Sequence, residues 1–123
     1  MRTSVRIVST AVSVATLLGS LLVAPTVSVA ADESVVAEGN KIAYDRRKGN
    51  CLACHVAGDG ELPGNIGPPL VAMKARFPDK AKLRAQIWDP QVANPNTSMP
   101  PYGRNLILTD EEIDKVVEWV YTL

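Results

Sequence analysis

A chain of 123 residues with 13 basic and 13 acidic side chains has room for one domain and no net formal charge. That balance gives no electrostatic reason to expect nucleic acid or an anionic membrane surface as a partner. Only six aromatic residues leave a thin core, and chains this small are usually stapled by disulfides, a metal or a cofactor.

Arg2 and Arg6 precede an apolar run from Ile7 to Val23, broken at Pro25 and followed by Ser28-Val29-Ala30. This predicts a signal peptide over residues 1–30, cut after Ala30 or one residue later, with the domain over 31–123. An uncleaved anchor is the competing reading, because about 17 mostly apolar residues sit at the lower edge of a spanning helix. The small-residue site and the switch to acidic Asp32 and Glu33 favour cleavage, with no stable membrane insertion afterwards. With no adjacent arginine pair ahead of the apolar run, the chain is expected to be exported unfolded to the periplasm, where any cofactor is added. Loss of residues 1–30 removes Arg2 and Arg6 and no acidic residue, leaving a formal charge of −2.

Val35, Val36, Gly39, Ile42 and Ala43 follow helical spacing, and Gly49 stops the run after Arg46-Arg47-Lys48, predicting a helix over 34–48. Gly39 on its inner face points to another helix crossing closely there. Residues 56–69 hold four glycines and three prolines and read as a loop. A short helix is expected from Leu70 to Phe77, ended by Pro78. Asp79 then caps a second helix carrying Leu83, Ile87 and Trp88 and stopped by Asp89-Pro90. Residues 91–105 hold three prolines and no periodicity, and an ordered loop of that length usually has a job. Thr109 with Glu112 makes a capping box, after which Ile113, Val116, Val117 and Val120 line one face of a helix over 110–122. Nothing alternates as a strand, and there is no repeat and no phosphate-binding glycine loop. The expected fold is all-α with long loops.

Both cysteines and the only histidine stand together, Cys51-Leu52-Ala53-Cys54-His55. A disulfide between Cys51 and Cys54 closes a very short ring and staples almost nothing. A redox dithiol of this spacing belongs beside a βαβ pattern that the sequence lacks. A structural zinc site needs four ligands, and two thiols with one imidazole leave it one short. The remaining reading is C-x-x-C-H as covalent c-type haem attachment, with Cys51 and Cys54 reaching one porphyrin edge and His55 under the iron. The haem then supplies the apolar surface that the aromatic residues do not.

Small electron carriers complete the iron with methionine, and Met73 and Met99 are the candidates once Met1 has left. Met73 is spaced as core between Leu70 and Phe77. Met99 lies between Ser98 and Pro100, where no helix face needs it and prolines stiffen the backbone, and it is assigned as the sixth ligand. A ligating histidine generally gives its other ring N–H to a carbonyl, here that of Pro68. Arg76, Arg84, Trp88 and Tyr102 are candidate partners for the propionates. With both axial positions taken and no other Cys or His to act, the chain alone is expected to move single electrons and to catalyse nothing.

Gly39, the C-x-x-C-H segment, Gly67-Pro68-Pro69-Leu70, the late Met99 and the capped last helix resemble class I cytochrome c. The resemblance implies a monohaem domain whose first and last helices cross at a glycine packed by an aromatic, roles that Gly39 and Trp119 match. Ala43 departs from the pattern, where such cytochromes often place an aromatic, and Trp119 is expected to fill that space. The stretches KGNCLACH, GNIGPPL, RFPDK, LRAQIWDP and NPNTSMPPYGRNLILTDEEIDKVVEWVYTL resemble the sulfur-oxidation cytochrome family SoxX over nearly all of residues 37–123. That resemblance implies one covalent haem c per chain and a heterodimer with a larger SoxA-type cytochrome. It implies a periplasmic complex that couples thiosulfate to a cysteine of the SoxYZ carrier, an L-cysteine S-thiosulfotransferase. Electrons taken by this haem pass to a soluble cytochrome c. By motif position Cys51 and Cys54 hold the haem, and His55 and Met99 its iron. Two readings stand beside it: a free periplasmic electron carrier, marked by a charged ring at the haem edge, and a thiol–disulfide exchange protein using Cys51 and Cys54.

Overall fold

The structure, a computed structural model, describes residues 32–123. The signal peptide expected over residues 1–30 lies outside the described residues. Four helices follow in order: α1 Glu33–Tyr44, α2 Met73–Arg76, α3 Lys80–Trp88 and α4 Asp110–Val120, with a single 3-10 turn at Cys51–Ala53. The fold is all-helical. The one element of β character among the described residues is an isolated parallel bridge between Ala57 and Leu70. No helix among the described residues is long and apolar enough to cross a membrane.

Each longer helix opens on a side-chain cap, at Asp79 and Thr109 as the sequence predicts and at Asp32, which the sequence reading does not single out. Asp32 accepts from the Ser34 N–H at 2.9 Å, and Asp79 accepts from the Ala81 N–H at 2.9 Å. Thr109 and Glu112 complete a reciprocal capping box, each side chain accepting from the other's backbone N–H at 3.1 and 3.0 Å. The ends differ from expectation in two places. The first helix stops at Tyr44 and not at residue 48, because the Asp45 backbone turns extended and its carboxylate accepts from the Arg47 N–H at 2.8 Å. A short polar side chain here offers the backbone a turn in place of the helix. Arg46, Arg47 and Lys48 therefore sit in that turn, and Lys48 reaches across to pair with Glu112. The second helix begins at Met73 and not at Leu70, because Ala72 takes a left-handed φ of 51° that interrupts any helix from Leu70; the Leu70 N–H is given instead to the Val56 carbonyl at 2.8 Å.

The frame is the crossing of α1 and α4. A Cβ built at Gly39 would lie 2.0 Å from the Lys115 carbonyl oxygen, so the two backbones touch as the glycine predicts. Trp119 is buried beside it. Tyr44 meets the Trp119 indole edge-on, ring centroids 5.3 Å apart. Ala43 is fully buried, and the Gly49 backbone presses on it so closely that a Cβ at Gly49 would stand 2.9 Å from its Cα. Beside the small Ala43, Tyr44 and Trp119 pack against each other at the crossing.

Candidate functional site

The left-handed backbone of Asn50, φ 47°, starts the tight turn that carries both cysteines, and the His55 N–H closes it on the Cys51 carbonyl at 2.9 Å. The glycine-rich loop that follows is laid along this turn by three backbone hydrogen bonds. Gly64, Gly67 and Leu70 donate to the carbonyls of Leu52, Cys54 and Val56 at 2.7, 2.8 and 2.8 Å. Side chains would prevent this approach, since a Cβ at Gly64 would lie 2.0 Å from the Ala53 oxygen and one at Gly67 2.4 Å from the His55 ring. The sequence marks 56–69 as a loop and Pro68 as the partner of His55, but carries no local signal for the backbone pairing of Gly64 and Gly67 with the cysteine turn.

The loop places the Pro68 carbonyl 2.7 Å from His55 Nδ1. A carbonyl can only accept, so Nδ1 carries a proton, and in the neutral ring Nε2 is the nitrogen left to hold a metal. Arg76 Nη1 donates to the next carbonyl, Pro69, at 2.7 Å, and so pins the same strand of loop from α2.

Cys51, Cys54, His55 and Met99 all line one cavity of about 520 Å³, within the usual span for cofactor sites. Its walls are built from Leu70, Met73, Phe77, Leu83, Ile87 and Val116, drawn from α2, α3, α4 and the loop before them. Met73 is both core and wall, 2% exposed. Met99 is half-buried on the loop between α3 and α4, where its N–H is held by Thr97 Oγ1 at 3.2 Å. Of the four candidate propionate partners, Arg76 and Tyr102 line the cavity, whereas Arg84 is committed to Asp114 and Asp110 at 2.6 and 3.1 Å. The Trp88 ring lies against Gly103, outside the cavity wall. Tyr102 is buried and gives its hydroxyl to the Gly49 carbonyl at 2.6 Å; burial pushes its phenol above the ordinary value, so it stays a donor.

The donor set fits a covalently held haem better than the other readings. A deep apolar cavity has two thiols and an imidazole nitrogen on its wall, with a thioether from a distant segment facing the same space. Burial pushes the Cys51 thiol up to about 11, the opposite of what a nucleophilic exchange thiol requires. Among the described residues no three His, Cys, Asp or Glu side chains converge as a metal-holding group, which leaves zinc without a chelating set.

Residues 36–120 match the family described as cytochrome C oxidase, cbb3-type, subunit III. An uncharacterized lipoprotein of Aquifex aeolicus (strain VF5) is 35% identical over 77 residues, covering 61% of this chain and 37% of that protein. The chain thus spans little more than a third of that relative's length. A chain in the crystal structure of SoxXA from P. pantotrophus superposes with a TM-score of 0.63 at 29% identity, covering 70% of this chain and 79% of that one.

Proposed function

The chain belongs to the cbb3-type cytochrome c oxidase subunit III family and is a c-type cytochrome of electron transfer, with Cys51 and Cys54 implying covalent haem c; from that premise we propose that it is the small, electron-accepting subunit of a SoxXA-like pair. In this reading Cys51 and Cys54 would carry one haem per chain, and His55 Nε2 and Met99 Sδ would hold its iron. When bound, the haem supplies a one-electron couple. The protein's own residues do the rest. Pro68 holds His55 in the tautomer that presents Nε2, and the apolar walls keep water from the cavity. The prolines around Met99 hold the thioether in place. With His55 and Met99 both holding the iron, no ligand position would be left for a substrate, and the chain on its own would transfer electrons only.

The observation that favours a subunit over a free shuttle is the charge of the cavity wall. Among the described residues Arg76 is the only Lys, Arg, Asp or Glu that lines it, and Ile66 at its edge is 72% exposed. A diffusing carrier steers with charge around this edge, while a subunit docks through an uncharged face. The partner is then a larger SoxA-type cytochrome in the periplasm, and the pair couples thiosulfate to a cysteine of a SoxYZ-type carrier and passes electrons to a soluble cytochrome c.

Two measurements test this. Met99→Ala holoprotein should lose the far-red sulfur-to-iron absorption band; a band that persists removes Met99 from the iron. Native mass spectrometry of the protein purified from its own host on thiosulfate should find a stoichiometric complex with a larger c-type cytochrome. A lone monohaem monomer would return the chain to the free carriers.

A further inference from the structure

We propose that Tyr102 is a latch that sets the position of Met99 relative to the Cys51–His55 turn, and that its hydroxyl governs how easily an outside ligand displaces the thioether. The inference rests on Met99 being the sixth ligand.

Residues 89–109 cross from α3 to α4 without regular structure, so the place of Met99 depends on whatever ties that loop down. Most of its ties are internal or run back to the end of α3. The N–H groups of Gly103 and Arg104 donate to the Trp88 carbonyl at 3.0 and 3.3 Å, and Arg104 Nη1 pairs with the buried Asp89 carboxylate at 2.9 Å. These bonds close the loop on itself. They do not refer it to the segment that carries Cys51, Cys54 and His55.

One hydrogen bond does so among the described residues. The Tyr102 hydroxyl donates to the Gly49 carbonyl at 2.6 Å, across 53 residues of chain, and the tyrosine is 8% exposed. The acceptor has little slack. Gly49 gives its own N–H to the Ile42 carbonyl at 3.1 Å, and a Cβ there would lie 2.8 Å from that oxygen, so the glycine is seated on the end of α1. Two residues further on is Cys51. At the other end of the bond, Met99 and Tyr102 are separated only by Pro100 and Pro101, whose rings fix φ. A displacement of Tyr102 therefore passes into Met99 with few torsions to absorb it. The hydroxyl measures the Met99 loop against the same backbone from which the cysteine turn departs.

The test is imidazole binding to the ferric holoprotein at fixed pH, followed by loss of the far-red sulfur-to-iron band. Tyr102→Phe keeps the ring that lines the cavity and removes only the donor. It should bind imidazole roughly fivefold more tightly than the unmutated protein, the worth of one net hydrogen bond. Arg104→Gln removes a tie internal to the loop and should leave that affinity within about twofold, although both variants lower the melting temperature. Equal affinity in Tyr102→Phe and the unmutated protein overturns the latch, as does an equal rise in both variants, which would mean that general loosening is enough. If the band survives in Met99→Ala, the ligand assignment falls and the latch with it; if it is lost there but Tyr102→Phe binds imidazole normally, only the latch falls.

Discussion

Gly67 carries no side chain because the His55 imidazole occupies the space one would need, 2.4 Å from where its Cβ would stand. The same backbone presents the Pro68 carbonyl to Nδ1, so one short stretch sets both the position and the tautomer of the ring. Gly67→Ala should push His55 out of line at a cost of about 1–3 kcal/mol, the usual range for overpacking a tight site. The check is the denaturation midpoint of the holoprotein together with its haem content. An alanine variant that loads and melts like the parent would mean that the ring has room to move. Arg76, holding the neighbouring Pro69 carbonyl, supports the same loop from α2.

At the scale of elements, the α1–α4 crossing carries the fold, and its parts are separable. Trp119 is buried at 4% exposure with Tyr44 edge-on against it, so Trp119→Ala should cost about 3–5 kcal/mol in chemical denaturation. A loss below 1 kcal/mol would show that the crossing does not depend on the indole. A second tie joins the cap of α4 to the turn after α1. Glu112 has its carboxyl held below the ordinary value first by Lys48 and then by the Thr109 N–H. A carboxylate with a depressed folded pKa adds stability above its unfolded value of 4.5, and that stability is lost as pH falls through the lower folded value. Glu112→Gln should therefore be the less stable protein at pH 7 and should show a flatter loss of stability as pH drops below about 4.5. Denaturation midpoints of both proteins at neutral and acid pH decide this.

Over the molecule as described, residues 32–123, the paired charges lie off the cavity wall. Lys80 pairs with Glu118 at 2.9 Å, Arg84 with Asp114 at 2.6 Å, and Lys115 with Glu38 and Glu111 at 2.8 and 2.7 Å. None of these side chains lines the cavity, whose one charged member is Arg76. Electron exchange through that face should then depend little on salt, the second-order rate with a soluble acceptor cytochrome c changing by less than about twofold between low and physiological ionic strength. A tenfold fall would mean that the partner is steered to a charged face elsewhere, as expected of a free carrier.

The helical class, the caps at Asp79 and Thr109, the close crossing at Gly39 and the candidate residues Cys51, Cys54, His55 and Met99 are all legible from the sequence, because caps, spacing and short motifs are local. The sequence also singles out residues 91–105 as a loop with a task. The tertiary structure decided what local patterns cannot carry. It laid the Leu70 N–H on the Val56 carbonyl, so that the chain runs on to a left-handed Ala72 before α2 begins at Met73. It separated Arg76 and Tyr102, on the cavity wall, from Arg84 and Trp88, which are engaged elsewhere. It also joined Tyr102 to Gly49 across 53 residues. Each of these depends on a partner distant in sequence, and only the folded chain determines which distant groups meet.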